Sequence, residues 1–160
     1  MTGLRWCQKR GLKLVEPSTN LPPVFFAKAE SALRMLRAAQ DLREPDWMAT
    51  TSYYAKYFAL YGLFARCGVK CEIHDCTILA MKALLVDPGF ASAALHEDIQ
   101  DSKDLRVDLQ YYAYREFDHE RVQRLSHSAP EVVLQLRALA DRLRREDIER
   151  IRAPLGTASR

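Results

Sequence analysis

The run DWMATTSYYAKYFALYGLFARCGVKCEIHDC, residues 46–76, decides the fold. Trp47, Met48, Tyr53, Tyr54, Tyr57, Phe58, Leu60, Tyr61, Phe64 and Ala65 put apolar or aromatic groups on almost every side of a 3.6-residue helix. Ser52, Lys56, Ala59, Leu63 and Arg66 form the one narrow stripe that is not bulky and apolar throughout. A helix apolar on most sides must be covered on most sides, so the run predicts the central helix of a bundle. The small and polar stripe is the place for a groove or for contact with a second copy. Gly68 is a good left-handed terminator for this helix, and the loop VKCEIH comes next.

Outward from this run the chain reads as further helices. Before it, Pro23 suits a first helical turn, and Phe25, Phe26, Ala29, Leu33, Leu36 and Ala39 make a buried stripe. Glu44-Pro45 stops that helix and Asp46 is placed to cap the next. After the central helix, a third is predicted over about 75–86, closed by Asp87-Pro88-Gly89. A fourth covers about 92–114, with Leu95, Ile99, Leu105, Leu109 and Tyr112 on one face. Its polar middle, HEDIQDSKD, predicts weaker order there. The charged stretch REFDHERVQRLSH reads as a loop or short helix. Ser128-Ala-Pro-Glu131 then has the pattern of a capping box that opens a fifth helix to about Ile151. Residues 1–23 form an arm in which GLKLVEP alternates as a short extended segment and Trp6 is the expected anchor. Residues 153–160 are a tail expected to fray. The sum is an all-α, up-and-down bundle of about five helices, four long and one short, over residues 24–152.

The chain's 160 residues fit one domain, and 48% hydrophobic with 28% charged is an ordinary globular balance. A net charge of +3 neither demands nor excludes nucleic acid. The arginines near the C-terminus alternate with acids, as on a solvated helix face. No apolar run approaches the ~20 residues of a membrane span. The N-terminus has basic residues but no apolar core after them, so a cytoplasmic location is expected. On that expectation the four cysteines are reduced thiols.

Three constellations have a chemical reading. Cys67, Cys71, His74 and Cys76 are zinc-ligand types in sufficient number for a closed site. They lack the two close pairs set far apart that a zinc knuckle uses, and free cysteine is often simply buried. No metal or cofactor is therefore assigned, and a zinc-stabilised structural protein stays as a lesser alternative. His74 with Asp75 at a helix start reads first as capping and a buried hydrogen bond. The sharper reading is a polar ligand site, with Tyr54 and with Arg66 or Arg106 as anion partner. The tyrosines of the central helix read as core, with their hydroxyls at the rim, before they read as a stacking platform for bases.

In this central region the chain resembles the HEPN family of helical domains, in particular its small stand-alone archaeal and bacterial members. The carrying residues are Tyr53-Tyr54-Ala55-x-Tyr57 on a helix, then Gly68, then Glu72-Ile73-His74-Asp75-Cys76-Thr77 opening the next helix. LKLVEP at 12–17 is similar to that family's N-terminal arm, and LRVDLQYY at 105–112 to its fourth-helix segment. The resemblance implies a bundle of four long helices and a short one, commonly dimeric, that often works beside a separate small nucleotidyltransferase. It also implies a nucleotide or RNA as ligand.

Some members of that family are ribonuclease toxins of toxin–antitoxin pairs. These carry an arginine, four to six residues and a histidine near the end of the fourth helix. Arg106 matches the arginine, but the first histidine after it is His119, thirteen positions on. Proton shuttling near neutral pH is imidazole chemistry; Gln110 cannot supply it, and Tyr111 titrates too high. The expectation is therefore an interaction module without a complete nuclease motif and without catalytic residues. A divergent metal-independent ribonuclease using Arg106 with Tyr111, or Arg121 with His127, is the alternative.

Overall fold

The aromatic run folds as α3, Pro45–Cys67, in the computed structural model, which describes residues 2–112 and 116–156. Pro45 occupies the first turn, where its missing N–H costs nothing, and Gly68 ends the helix with φ +68°. Tyr53, Ala55, Ala59, Leu60, Leu63 and Cys67 are all buried, although they point in different directions around the axis. Three long helices provide the cover: α2 (Leu21–Leu42), α5 (Ala93–Tyr111) and α6 (His119–Arg142). Gly62 brings α2 close, since a Cβ there would stand 3.2 Å from the Phe26 ring. The chain is thus the all-α bundle that the central run predicts.

Shorter elements close the ends. These are α1 (Thr2–Gln8), α4 (His74–Met81) and α7 (Arg145–Arg152). A π-turn at Lys82–Val86 prolongs α4, and a 3-10 turn at Ala153–Leu155 comes after α7. Two-residue strands β1 (Lys13–Leu14) and β2 (Val69–Lys70) pair antiparallel. Among the described residues no helix is long and apolar enough to cross a membrane. The predicted helix end at Tyr114 and the last tail residues, 157–160, lie outside the described residues. The part of the tail that is described docks: Leu155 is buried and its carbonyl accepts from Gln8 Nε2 at 3.1 Å.

Four expectations are corrected. The arm is not simply extended, because α1 precedes the strand, and Trp6 is not its anchor. Trp6 is 49% exposed with Arg10 stacked over it, while Leu4, Cys7 and Leu12 are buried. The cysteines are not all thiols: Cys7 and Cys76 form a disulfide that joins α1 to α4, and only Cys67 and Cys71 are free. The fifth helix does not open at Ser128, because α6 begins at His119 with Asp118 as its cap and runs straight through Pro130. Its apolar stripe Val122, Leu125, Ala129, Val132, Val133 and Leu136 is continuous, and burying it outweighs the lost proline hydrogen bond. Finally, the polar middle of α5 is helical throughout and provides the partners of a buried lysine.

That lysine is Lys56, in the stripe read as a groove. Its side chain is 0% exposed. Its Nζ lies 2.5 Å from Asp98 and donates to Ser102 Oγ at 2.7 Å, to the Leu125 carbonyl at 2.9 Å and to Ser128 Oγ at 3.0 Å. Ser52 Oγ donates to the same carbonyl at 2.8 Å. A helix-interior proline loosens the turn before it, and Leu125 is in that turn. Ser52, Lys56, Ala59 and Leu63 therefore face the interior, and Ser52 and Lys56 join α3 to α5 and α6.

Candidate functional site

Three elements converge beside the tyrosines. From α3 come Tyr53, Tyr54 and Tyr57, from α4 His74 and Asp75, and from α5 Lys103 and Arg106. The i, i+1, i+4 spacing places the tyrosines on adjoining faces of α3, and i, i+3 puts Lys103 and Arg106 on one face of α5. Hydrogen bonds to backbone carbonyls of the loop between β2 and α4 fix its exit. The Tyr61 hydroxyl donates to the Cys71 carbonyl, and Thr77 N and Oγ1 donate to the Ile73 carbonyl at 2.9 and 3.0 Å.

His74 is stacked on Tyr57, with ring centroids 4.1 Å apart and planes at 7°. Its Nδ1 lies 2.6 Å from the Tyr53 hydroxyl. Burial pushes the Tyr53 phenol well above its ordinary range, so it keeps its proton. Burial, and then Arg106, pull His74 below the usual imidazole value, so the ring is neutral near pH 7. The phenol is the better donor of the two; it donates to Nδ1, and the ring hydrogen stays on Nε2.

Arg106 completes the cluster. Its Nη1 donates to the Tyr54 hydroxyl at 3.1 Å, and its guanidinium carbon lies 5.2 Å from the Tyr53 ring and 5.6 Å from the Tyr54 ring. Its Nε is buried without a hydrogen-bond partner among the described residues. Among the described residues no carboxylate pairs with Arg106. Lys103, by contrast, is neutralised by Asp75. The half-buried face thus carries one uncompensated guanidinium, next to an Nε2–H and a tyrosine hydroxyl. All three are suited to receive an anion. The same arrangement is poor for moving protons, because the acceptor nitrogen of His74 is occupied by Tyr53.

Of the five residues singled out in the sequence, four meet here: Tyr54, His74 and Arg106 in the cluster and Asp75 at its edge. Arg66 does not. It sits in the last turn of α3, about 18 Å along the axis from Tyr54. There it lines an open depression of about 450 Å³ with Thr19, Pro22, Phe26, Arg137 and Asp141. That position suits a charge complementing the helix dipole. The Arg121–His127 pair does not form a site either. The Arg121 Nε donates to Asp101 at 2.8 Å and its Nη1 to Asp108 at 3.3 Å. His127 is exposed, with Nδ1 2.8 Å from the Gln123 carbonyl. Cys76 is consumed by its disulfide, and burial pushes the Cys67 thiol up to about 12. Among the described residues no group of three or more His, Cys, Asp or Glu is placed to hold a metal.

Sequence reasoning passed over Tyr53 and Lys103 as site residues. The tyrosine was hidden in a stripe assigned to core. The lysine, three positions before Arg106, gave a usable signal: two cations on one helix face close to a predicted site. No protein-family model matches the chain, and no curated protein does.

Proposed function

We propose that this chain is a HEPN-like interaction module that binds the phosphate of a nucleotide on the Tyr54–His74–Arg106 face. In this reading it works as a homodimer beside a separate small nucleotidyltransferase, in a toxin–antitoxin-like pair, and lacks a complete nuclease site. The observation that carries the binding part is Arg106: a half-buried guanidinium, braced by two tyrosine rings, with no carboxylate among the described residues to neutralise it. The partner and the pairing rest on the family resemblance of the tyrosine helix and the loop after it. A cytoplasmic location goes with this reading. In that compartment the Cys7–Cys76 bond is either a permanent strut, as in hyperthermophiles, or a bond that is made and broken.

Titration of the purified chain with adenosine monophosphate tests the proposal. Saturable binding is expected, lost in Arg106→Ala and weakened roughly tenfold in Tyr54→Phe, the equivalent of ~1.4 kcal/mol for one hydrogen bond to a charged group. Transfer RNA incubated without metal should stay intact. RNA cleavage that disappears in Arg106→Ala would overturn the reading.

One observation favours the second reading, a metal-independent ribonuclease. In that reading the imidazole missing along α5 comes from α4, because His74 sits against the same tyrosine rings as Arg106, and the Tyr53 hydroxyl has to leave Nδ1 before the ring can take a proton. In that case cleavage is abolished by His74→Ala and untouched by His127→Ala.

A further inference from the structure

We propose that the Cys7–Cys76 disulfide is a redox-controlled tether that sets the position of His74 and Asp75, and through them the state of the anion-binding face. This rests on the reading of the Tyr54–His74–Arg106 face as the working surface.

Cys76 lies in the first turn of α4, two residues after His74 and next to Asp75. That turn has no side-chain cap, because its capping position is Ile73, which has no polar side-chain atom. Side chains from other elements hold it instead. Tyr53 bonds His74, Lys103 pairs with Asp75, and Cys7 is bonded to Cys76. Only the last is covalent, and the first two end on residues of the face itself. At its other end α4 passes after eight residues into the π-turn, where the hydrogen bonds widen from the α to the π spacing. From Thr77 onward α4 is core, with Thr77, Ile78, Ala80 and Met81 buried, so the tethers act on the half-buried start of the helix, His74 and Asp75.

The other end of the tether is built to let go. α1 has seven residues, Leu4 and Cys7 are buried, and Arg5 and Trp6 face solvent. Apart from the disulfide, α1 is held by Leu4 packing, by the close approach of Gly3 to Leu79, by the bond from Gln8 to the Leu155 carbonyl and by Leu12 N donating to the Cys7 carbonyl at 2.9 Å. Small end segments of this kind open locally without global unfolding. Opening exposes sulfurs that are otherwise 1% and 0% accessible as residues Cys7 and Cys76. The arm beyond α1 stays fixed: Val15 N donates to the Gly68 carbonyl at 2.9 Å, and Arg152 Nη1 donates to the Val15 carbonyl at 2.8 Å. Reduction therefore removes the covalent hold on residues 2–8 and on the His74–Cys76 start of α4, while Thr77 stays bonded to the Ile73 carbonyl and the bundle stays closed.

The reductant is a dithiol. One of its thiolates attacks a sulfur of the Cys7–Cys76 bond and forms a mixed disulfide, and its second thiolate displaces the protein sulfur. Two electrons pass to the protein, which gains two S–H bonds, and the reductant departs as its own disulfide.

The test uses the full chain labelled with ¹⁵N in its four histidines, before and after excess dithiothreitol, with near-ultraviolet dichroism to establish that it stays folded. His74 is assigned by loss of its signals in His74→Gln. Oxidised protein should show one His74 tautomer, protonated at Nε2. Reduced, folded protein should show averaged ring nitrogens, and Cys7→Ser should give the same spectrum without reductant. Affinity for adenosine monophosphate should fall ~5-fold or more on reduction, the lower end of ordinary coupling between sites. Identical His74 signals in both redox states overturn the proposal, and so does unfolding on reduction. If adenosine monophosphate fails to bind the oxidised form, the functional reading falls, but the tether is still decided by the ring nitrogens, which need no ligand.

Discussion

His74 and His96 both hold their protons less tightly than an ordinary histidine, His74 through burial and then Arg106, His96 through burial and then Lys82. In the unfolded chain each takes a proton at a higher pH than in the folded one. Between the two values the unfolded state binds more protons, so stability rises with pH across that window. Acidification from about pH 7.5 to about pH 5.5 should therefore lower the urea midpoint, while most carboxylates stay ionised. His74→Gln and His96→Gln should each flatten part of the slope. A midpoint that does not move with pH would contradict both assignments. Gly68 makes a second residue-scale prediction. Its φ is +68°, and a Cβ would collide with Arg152 Nη1 and the Val15 carbonyl and lie 2.7 Å from Pro17 N. Gly68→Ala should cost about 2 kcal/mol or more in chemical denaturation. The terminator itself was legible in the sequence, because a glycine after an apolar helical run has one ordinary use. The crowding was not, since it comes from Arg152, which donates to the carbonyls of Val15, Cys67 and Gly68 from the far end of the chain.

At the scale of elements, legibility tracked the range of the forces involved. α2 and α3 were readable because their stripes and stops are local. α6 is hard to read at Pro130 because a proline after Ser128 imitates a start, and the turn before it is held by Ser52 and Lys56 of α3, which both donate to the Leu125 carbonyl. The convergence of α4 and α5 on the tyrosines put Tyr54, His74, Asp75 and Arg106 together, and each had been singled out for its chemistry. Arg66 had the right chemistry at the wrong end of the helix. The link between α1 and α4 was the least legible, because two cysteines 69 positions apart carry no local signal of pairing. That same separation gives the link its weight. Closing a loop of this length removes chain entropy from the unfolded state equal to about 4 kcal/mol. Reduction should lower the unfolding free energy by roughly that amount, with the m-value raised as the unfolded chain expands. A loss below ~1 kcal/mol would show that the unfolded chain is already compact around this contact.

For the molecule as a whole, α3 decides how it comes apart. α3 packs against α2, α5, α6, β2 and α7, so no neighbour leaves without uncovering it. Lys56 adds a polar constraint at the same centre. Its ammonium is satisfied only while Asp98 and Ser102 on α5 and the Leu125 carbonyl on α6 are all in place. Partial separation of α5 or α6 would leave a buried charge without partners, which favours separation of everything at once. Oxidised protein should therefore melt in one transition, with calorimetric and van't Hoff enthalpies equal. Leu60, fully buried at the middle of α3, is the probe. Leu60→Ala leaves a cavity walled by the helices around it and should cost ~2–5 kcal/mol. At ~2–4 °C per kcal/mol for a chain of this size, the melting temperature falls by about 4–20 °C. The transition should stay single, because the cavity weakens the one contact surface that all the long helices share. Two resolved transitions in the variant, with α2 lost before α6, would mean that the bundle has separable halves and that α3 is not its common centre.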